Sequence, residues 1–99
     1  MKSYRFSNRA VADLTQIWSH TFDYWSENQA DKYYNMLIGS CAKLATNPRL
    51  GKNYSIVKEE LMGFKAGRHI IFYRCLQVDG IEIIRILHEQ MDLKNRIES

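Results

Sequence analysis

The sequence predicts an α+β fold of order β-α-α-β-β-β, a helical hairpin packed on one face of a small twisted antiparallel sheet. Three observations predict it. Two apolar stripes of helical period follow each other with a capping signal between them. The second half of the chain then turns to β-rich runs, two of which meet through Asp79-Gly80, where glycine supplies the positive φ of a tight hairpin turn. The last run, Ile81 to His88, is apolar on both faces: strict alternation puts Ile81, Ile83 and Leu87 on one side, Ile84 and Ile86 on the other. Such a strand has to be covered twice. A chain of 99 residues covers one side with its own helices, so the second side points to a partner.

Each element has a local reason. Tyr4-Arg5-Phe6 alternates and runs into Ser7-Asn8, a strand followed by a helix N-cap. Val11, Leu14, Trp18, Thr21 and Trp25 recur at three- and four-residue steps, with Ile17 and Phe22 widening the stripe; both tryptophans are expected in the core. Ser26 and Gln29 form a capping box that starts a second helix along Ala30, Tyr33, Tyr34, Leu37, Cys41, Leu44 and Ala45. Tyr33 and Tyr34 are adjacent and cannot both face inward. The helix stops at Asn47-Pro48, because the residue before proline is pushed out of the helical region. Arg49 to Glu60 is basic and polar without a period, a loop; Leu61 to Ala66 is a weak strand; Gly67 onward is the hairpin. The tail, Glu89 to Ser99, is charged, has no core pattern of its own and is expected to extend beyond the last strand.

The bulk properties agree with one domain spanning 1–99. The chain is 45% hydrophobic and 12% aromatic, which fits a folded globule rather than a disordered chain. The net charge of +3 is mildly basic and lacks the dense basic patch of a dedicated nucleic-acid binder. Cys41 and Cys75 lie far apart within apolar runs, the pattern of reduced core thiols, and no histidine stands at zinc-ligand spacing from either. The start, which turns polar after six residues, has no signal-peptide core, and no apolar run is long enough for a membrane span; a soluble, cytoplasmic protein is expected.

Catalytic motifs are absent: no Gly-rich phosphate loop, no GxSxG, no HExxH and no Cys-His pair at usable spacing, and no cofactor or metal is expected. Asp13, Asp23 and Asp31 read as solvated helix faces. The convergent polar set is on the sheet: Arg68, His69, Tyr73, Arg74, Arg85 and His88. Alternation puts His69 and Tyr73 on one face, Arg68 and Arg74 on the other, and Arg85 and His88 on opposite faces from each other. A basic, aromatic sheet face suits a phosphate backbone, with tyrosine or histidine for proton transfer.

The same residues carry a resemblance. The opening Tyr-x-Phe-Ser, then Ala10-x-x-Asp13-Leu14-x-x-Ile17-Trp18, Trp25, Ala30-x-x-Tyr33, Leu44-Ala45-x-Asn47-Pro48-x-x-Gly51, Gly67-x-His69-x-Ile71-Phe72-Tyr73-Arg74 and Ile84-x-Ile86-Leu87-His88-x-x-Met91-Asp92 follow in order. In these blocks the chain resembles the ParE toxins of type II toxin–antitoxin modules, within the RelE/ParE superfamily. One block departs. Where members often carry Ile-Arg-x-Gly-Tyr-Arg before the sheet, this chain reads Val57-Lys58-Glu59-Glu60-Leu61-Met62-Gly63-Phe64.

The resemblance implies the same fold, a single ParE-like toxin domain over 1–99, and a protein that is not an enzyme but poisons DNA gyrase and stops replication. It also implies a ParD-type antitoxin that wraps the sheet and helices, in a hetero-oligomeric complex touching operator DNA mainly through the antitoxin. Candidate contacts with target or antitoxin are Arg68, Tyr73, Arg85 and His88 on the sheet and Met91, Asp92, Lys94 and Arg96 after it. The alternative is a ribosome-dependent mRNA endoribonuclease of the RelE type, in which Arg85, His88 and Tyr73 would serve as phosphate clamp and acid–base groups.

Overall fold

The computed structural model describes residues 3–77, 80–91 and 97. The elements are β1 (Tyr4–Phe6), α1 (Asn8–Tyr24), α2 (Glu27–Thr46), β2 (Lys52–Asn53), β3 (Met62–Ala66), β4 (His69–Cys75) and β5 (Ile81–His88), with a 3-10 turn at Pro48–Leu50. The α+β order is the expected one, with the two-residue β2 added. Both helix starts form as their caps require: the Ser7 side chain accepts from Ala10 N–H and that of Ser26 from Gln29 N–H.

The sheet order is β1-β5-β4-β3-β2. It is mixed rather than wholly antiparallel, because β1 runs parallel to β5, pairing Tyr4 with Ile81 and Phe6 with Ile83. The chain leaves β1 through the helical hairpin and returns to the sheet's far side, so the first and last strands meet at one edge. Gly67, at φ 61, opens the two-residue turn between β3 and β4. The β4–β5 connection is longer than the expected tight turn: Cys75 pairs with Ile81, and Leu76 N–H donates to Gly80 O at 3.0 Å. Gly80 has the positive φ expected of it, 122°, and a Cβ there would sit 2.6 Å from Ser3 O. Asp79 lies outside the described residues.

A β-bulge decides which side chains go where. Phe72 faces Arg85 but Tyr73 faces Ile83, so β5 carries one residue more than β4 between these pairs. Alternation slips by one at that point. Ile86 therefore joins Ile81 and Ile83 beneath the helices, with Leu14, Leu37, Cys41 and Leu44, while Leu87 joins Ile84 on the other face. The face assignment expected from strict alternation is wrong for Ile86 and Leu87 for this reason.

The second face is not bare. Leu61, Ile70, Phe72, Leu87 and Ile97 form a cluster there, with Tyr54, Val57 and Ile84 packed against it. The segment read as a featureless polar loop thus supplies Tyr54, Val57 and Leu61, held in shape by Tyr54 N–H donating to Leu61 O at 2.8 Å. Ile97, only 5% exposed, corrects the view of the tail as wholly outside the core. Because the chain covers β5 on both sides by itself, a doubly apolar strand does not in itself demand a partner.

Helix α1 docks in a different phase from the expected stripe. Ala10, Asp13 and Leu14 are its buried residues, and Val11 is half exposed. Trp25, expected in the core, is 77% exposed at the end of the helix. Trp18 is half-buried, its indole N–H donating to Asp31 Oδ1 at 3.0 Å across the hairpin and its ring stacked on Phe22. The large aromatics had drawn the stripe around the helix; the phase follows the small Ala10, which lets α1 approach the sheet closely. In α2 the expected stripe holds, with Ala30, Leu37, Cys41, Leu44 and Ala45 buried. Cys75, expected in the core, is exposed at the end of β4; Cys41 is buried, and burial pushes its thiol up to about 12. Among the described residues no helix is long and apolar enough to cross a membrane.

Candidate functional site

The polar residues converge where α1 crosses the end of β5. Asp13 belongs to the Ala10–Leu14–Ile17 face and is carried into the interior with it. Its Oδ2 accepts from Arg85 Nε at 2.8 Å and from Ile86 N–H at 3.0 Å, and its Oδ1 from Arg85 Nη2 at 3.0 Å. A fork-shaped guanidinium meeting a carboxylate edge-on is the strong form of this contact. The Asp13 hydrogen bonds raise the Arg85 pKa above its ordinary value. The one carboxylate of α1 thus holds two successive residues of β5, Arg85 by its side chain and Ile86 by its N–H, next to the bulge. Asp13 is not the solvated group its charge suggested. It pins the helix to the bulge.

Beside this pair lies a cleft of about 360 Å3 walled by Gln16, Ile17, His20 and Thr21 of α1 and by His69, Arg85, Leu87, His88 and Met91. Arg85 and His88 share it, contrary to strict alternation: the slip at the bulge carries His88, with Ile86, to the helix side, and the Arg85 guanidinium reaches Asp13 there. His69 and His88 are cross-strand neighbours with ring centroids 5.4 Å apart, edge to face.

The histidines are held from behind. Tyr33 Oη accepts from Arg68 N–H at 3.0 Å and lies 2.6 Å from His69 Nδ1, a bond in which the hydroxyl donates when the ring carries its proton on Nε2. Nδ1 of His88 accepts from Gln90 N–H at 3.2 Å. An Nδ1 that accepts leaves a proton on Nε2, as at His88 and, with the Tyr33 hydroxyl donating, at His69. Burial, followed by repulsion from His88, lowers the His69 pKa to about 4. Gly67 leaves room for the Tyr33 ring, since a Cβ there would lie 2.7 Å from Tyr33 Oη.

The remaining candidates divide. Tyr73 is fully buried; its hydroxyl donates to Pro48 O at 2.6 Å and accepts from Gly51 N–H at 3.0 Å. It fastens the end of α2 to the sheet and offers no surface for a contact. Arg68 is exposed at the β3–β4 turn and Met91 is exposed at the cleft's edge. Asp92, Lys94 and Arg96 lie outside the described residues. A larger hollow, about 600 Å3, opens on the other face among Ser7, Lys58, Glu59, Glu60, Arg74, Glu82 and Ile84. Arg74 and Arg5 there share Glu82, at 2.8 and 3.5 Å. Sequence reasoning missed Asp13, Tyr33 and His20. The first had a signal, since it lies between Ala10 and Leu14 on one helical face; the other two meet the site only through the fold.

The family model described as "ParE toxin of type II toxin-antitoxin system, parDE" matches residues 4–93. The chain belongs to this ParE toxin family. Toxin ParE1 of Mycobacterium tuberculosis is 33% identical over 94 residues, covering 95% of this chain and 96% of the relative. Toxin ParE1 of Caulobacter vibrioides is 34% identical, again over 94 residues and with the same coverage. Among solved structures, a chain of the chromosomal ParDE system of P. aeruginosa matches with TM-score 0.76 at 19% identity, covering 89% of this chain and 96% of that one. A chain of the Mycobacterium tuberculosis RelBE2 toxin–antitoxin complex matches with TM-score 0.66 at 17% identity, covering 89% and 98%. At these identities the structures speak for the fold alone. This ParE-family chain keeps the fold although its 57–64 block departs from the pattern, because Val57 and Leu61 still pack on the sheet.

Proposed function

We propose that the chain is the toxin of a ParDE-type module that halts replication by binding DNA gyrase, with a ParD-type antitoxin neutralising it. The observation that carries this reading is the ParE toxin match over residues 4–93, supported by ParE toxins at 33–34% identity along almost the whole chain. The chemistry of the sheet favours a binding poison over a nuclease. Tyr73 is sealed in the core, and the Arg85 guanidinium is occupied by Asp13, so two of the three groups an acid–base mechanism would draw on serve the fold. Contact with the target then falls to the exposed Arg68 and Met91 and the half-buried His88, with Asp92, Lys94 and Arg96 of the tail as further contacts.

The test adds purified chain to gyrase, ATP and supercoiled plasmid, then detergent and protease. Linear DNA accumulating with toxin concentration, and suppressed by the cognate antitoxin, is the expected result. Intact plasmid together with cleaved mRNA on translating ribosomes would replace this reading with the RelE-type ribonuclease. That second reading has one observation in its favour: His69 and His88 stand side by side at the wall of an open cleft.

A further inference from the structure

We propose that the α1–β5 cleft receives one carboxylate side chain from an acidic, apolar-flanked segment of the neutralising partner, held by the Nε2–H groups of His69 and His88. The proposal rests on the antitoxin reading only for the identity of the occupant. The donors themselves follow from the geometry. The His88 Nδ1 accepts from Gln90 N–H and the His69 Nδ1 is taken by Tyr33 Oη, so Nε2 is the polar atom left on each ring, a donor at His88 and, with the Tyr33 hydroxyl donating, at His69. No hydrogen bond to either Nε2 is formed among the described residues, and both rings line the cleft. The two rings stand side by side at the wall of one cleft, their centroids 5.4 Å apart, so a single small group can meet both.

The surroundings select the occupant. Asp13 also lines the cleft, but its two oxygens are turned onto Arg85 and Ile86 N–H, so that its charge is balanced and its acceptors are used. What the cleft offers is two ring N–H donors beside an arginine already paired with Asp13. This suits a singly charged carboxylate better than a phosphate, whose greater charge calls for arginine or lysine. Ile17, Leu87 and Met91 supply apolar walls, and Met91, 42% exposed, can fold over an aliphatic stem. The whole chain carries +3, which draws an acidic segment toward it.

Histidine offers a sharp test, because asparagine reproduces the position of its Nδ1 and glutamine that of its Nε2–H. The probes are N-acetyl-Leu-Glu-Leu-amide, its Gln counterpart and inorganic phosphate. They are titrated into the isotope-labelled full chain near neutral pH while the imidazole nitrogens are followed by NMR. The Glu peptide should shift Nε2 of both His69 and His88 and bind at least about fivefold more tightly than the Gln peptide, the difference between a charge-assisted and a neutral hydrogen bond. His88→Gln should keep this preference and His88→Asn should lose it. The same pair at His69 gives the reading again should either His88 variant melt early. Equal binding of the two peptides, stronger binding of phosphate, or Gln and Asn variants that behave alike would each overturn the proposal. None of these readouts involves gyrase, so a negative result here together with linear DNA in the gyrase test removes this inference alone.

Discussion

Replacing Asp13 with alanine should cost about 3–4 kcal/mol of folding stability, although a charged residue on a surface helix ordinarily tolerates the change within about 0.5 kcal/mol. The magnitude comes from what the carboxylate holds. It accepts two charge-assisted bonds from Arg85, at 2.8 and 3.0 Å, and one from Ile86 N–H at 3.0 Å. The pair is nearly dry, with side-chain exposures of 13% for Arg85 and 11% for Asp13. Removing one partner of a buried pair costs about 3–5 kcal/mol, and the residual exposure places this case at the lower end. The stranded Ile86 N–H adds roughly 1 kcal/mol. Asp13→Asn keeps one acceptor oxygen and should lose about half as much. The assay is urea unfolding at constant slope, where a slope of about 1–1.5 kcal/mol/M turns the loss into a midpoint shift of roughly 2–4 M. Asp23→Ala, an exposed carboxylate on the same helix, is the control. If Asp13→Ala loses no more stability than Asp23→Ala, the latch between helix and bulge does not exist.

Ile97→Ala should destabilise by about 2–3 kcal/mol, since it empties a place among Leu61, Ile70, Phe72 and Leu87; deleting the tail from Leu93 should then lower the melting temperature as well as activity, and an unchanged melt would remove Ile97 from the core. Tyr73→Phe strands Gly51 N–H and Pro48 O at a cost of about 1–2 kcal/mol by thermal melting, yet an induced Tyr73→Phe gene should still arrest growth; loss of arrest with the fold intact would revive the acid–base role. Stability should also fall with acid. The folded His69 pKa is lowered to about 4 from 6.5, so between these values the unfolded chain binds the extra proton. The contribution of neutral His69 is therefore complete above about pH 6.5 and is lost as pH falls toward 4, about 1–2 kcal/mol once the ring's partial exposure is discounted. His69→Gln should flatten that part of a urea midpoint against pH profile, and an unchanged slope would count against it.

Local chemistry was legible because its signals are local. Ser7 and Ser26 cap helices through bonds to residues three positions on; Asn47-Pro48 ends one through a steric clash with its neighbour; Gly67 and Gly80 mark turns through their own φ. The family blocks were legible for the same reason, being short runs of fixed spacing. The placement of the candidate site was not local. Residue type says nothing of where a strand gains a residue, and the bulge in β5 reassigns Ile86 and Leu87 and carries His88 to the cleft beside the helix. The pairing of Asp13 with Arg85 joins positions 72 residues apart, and that of Tyr33 with His69 joins positions 36 apart. No periodicity spans such distances. Sequence alone determined the order of elements, their ends and the family; tertiary structure decided which charges are buried and which histidines face one cleft. Burial and pairing are properties of what lies across the contact, and the chain brings those residues together only when the helical hairpin closes on the sheet.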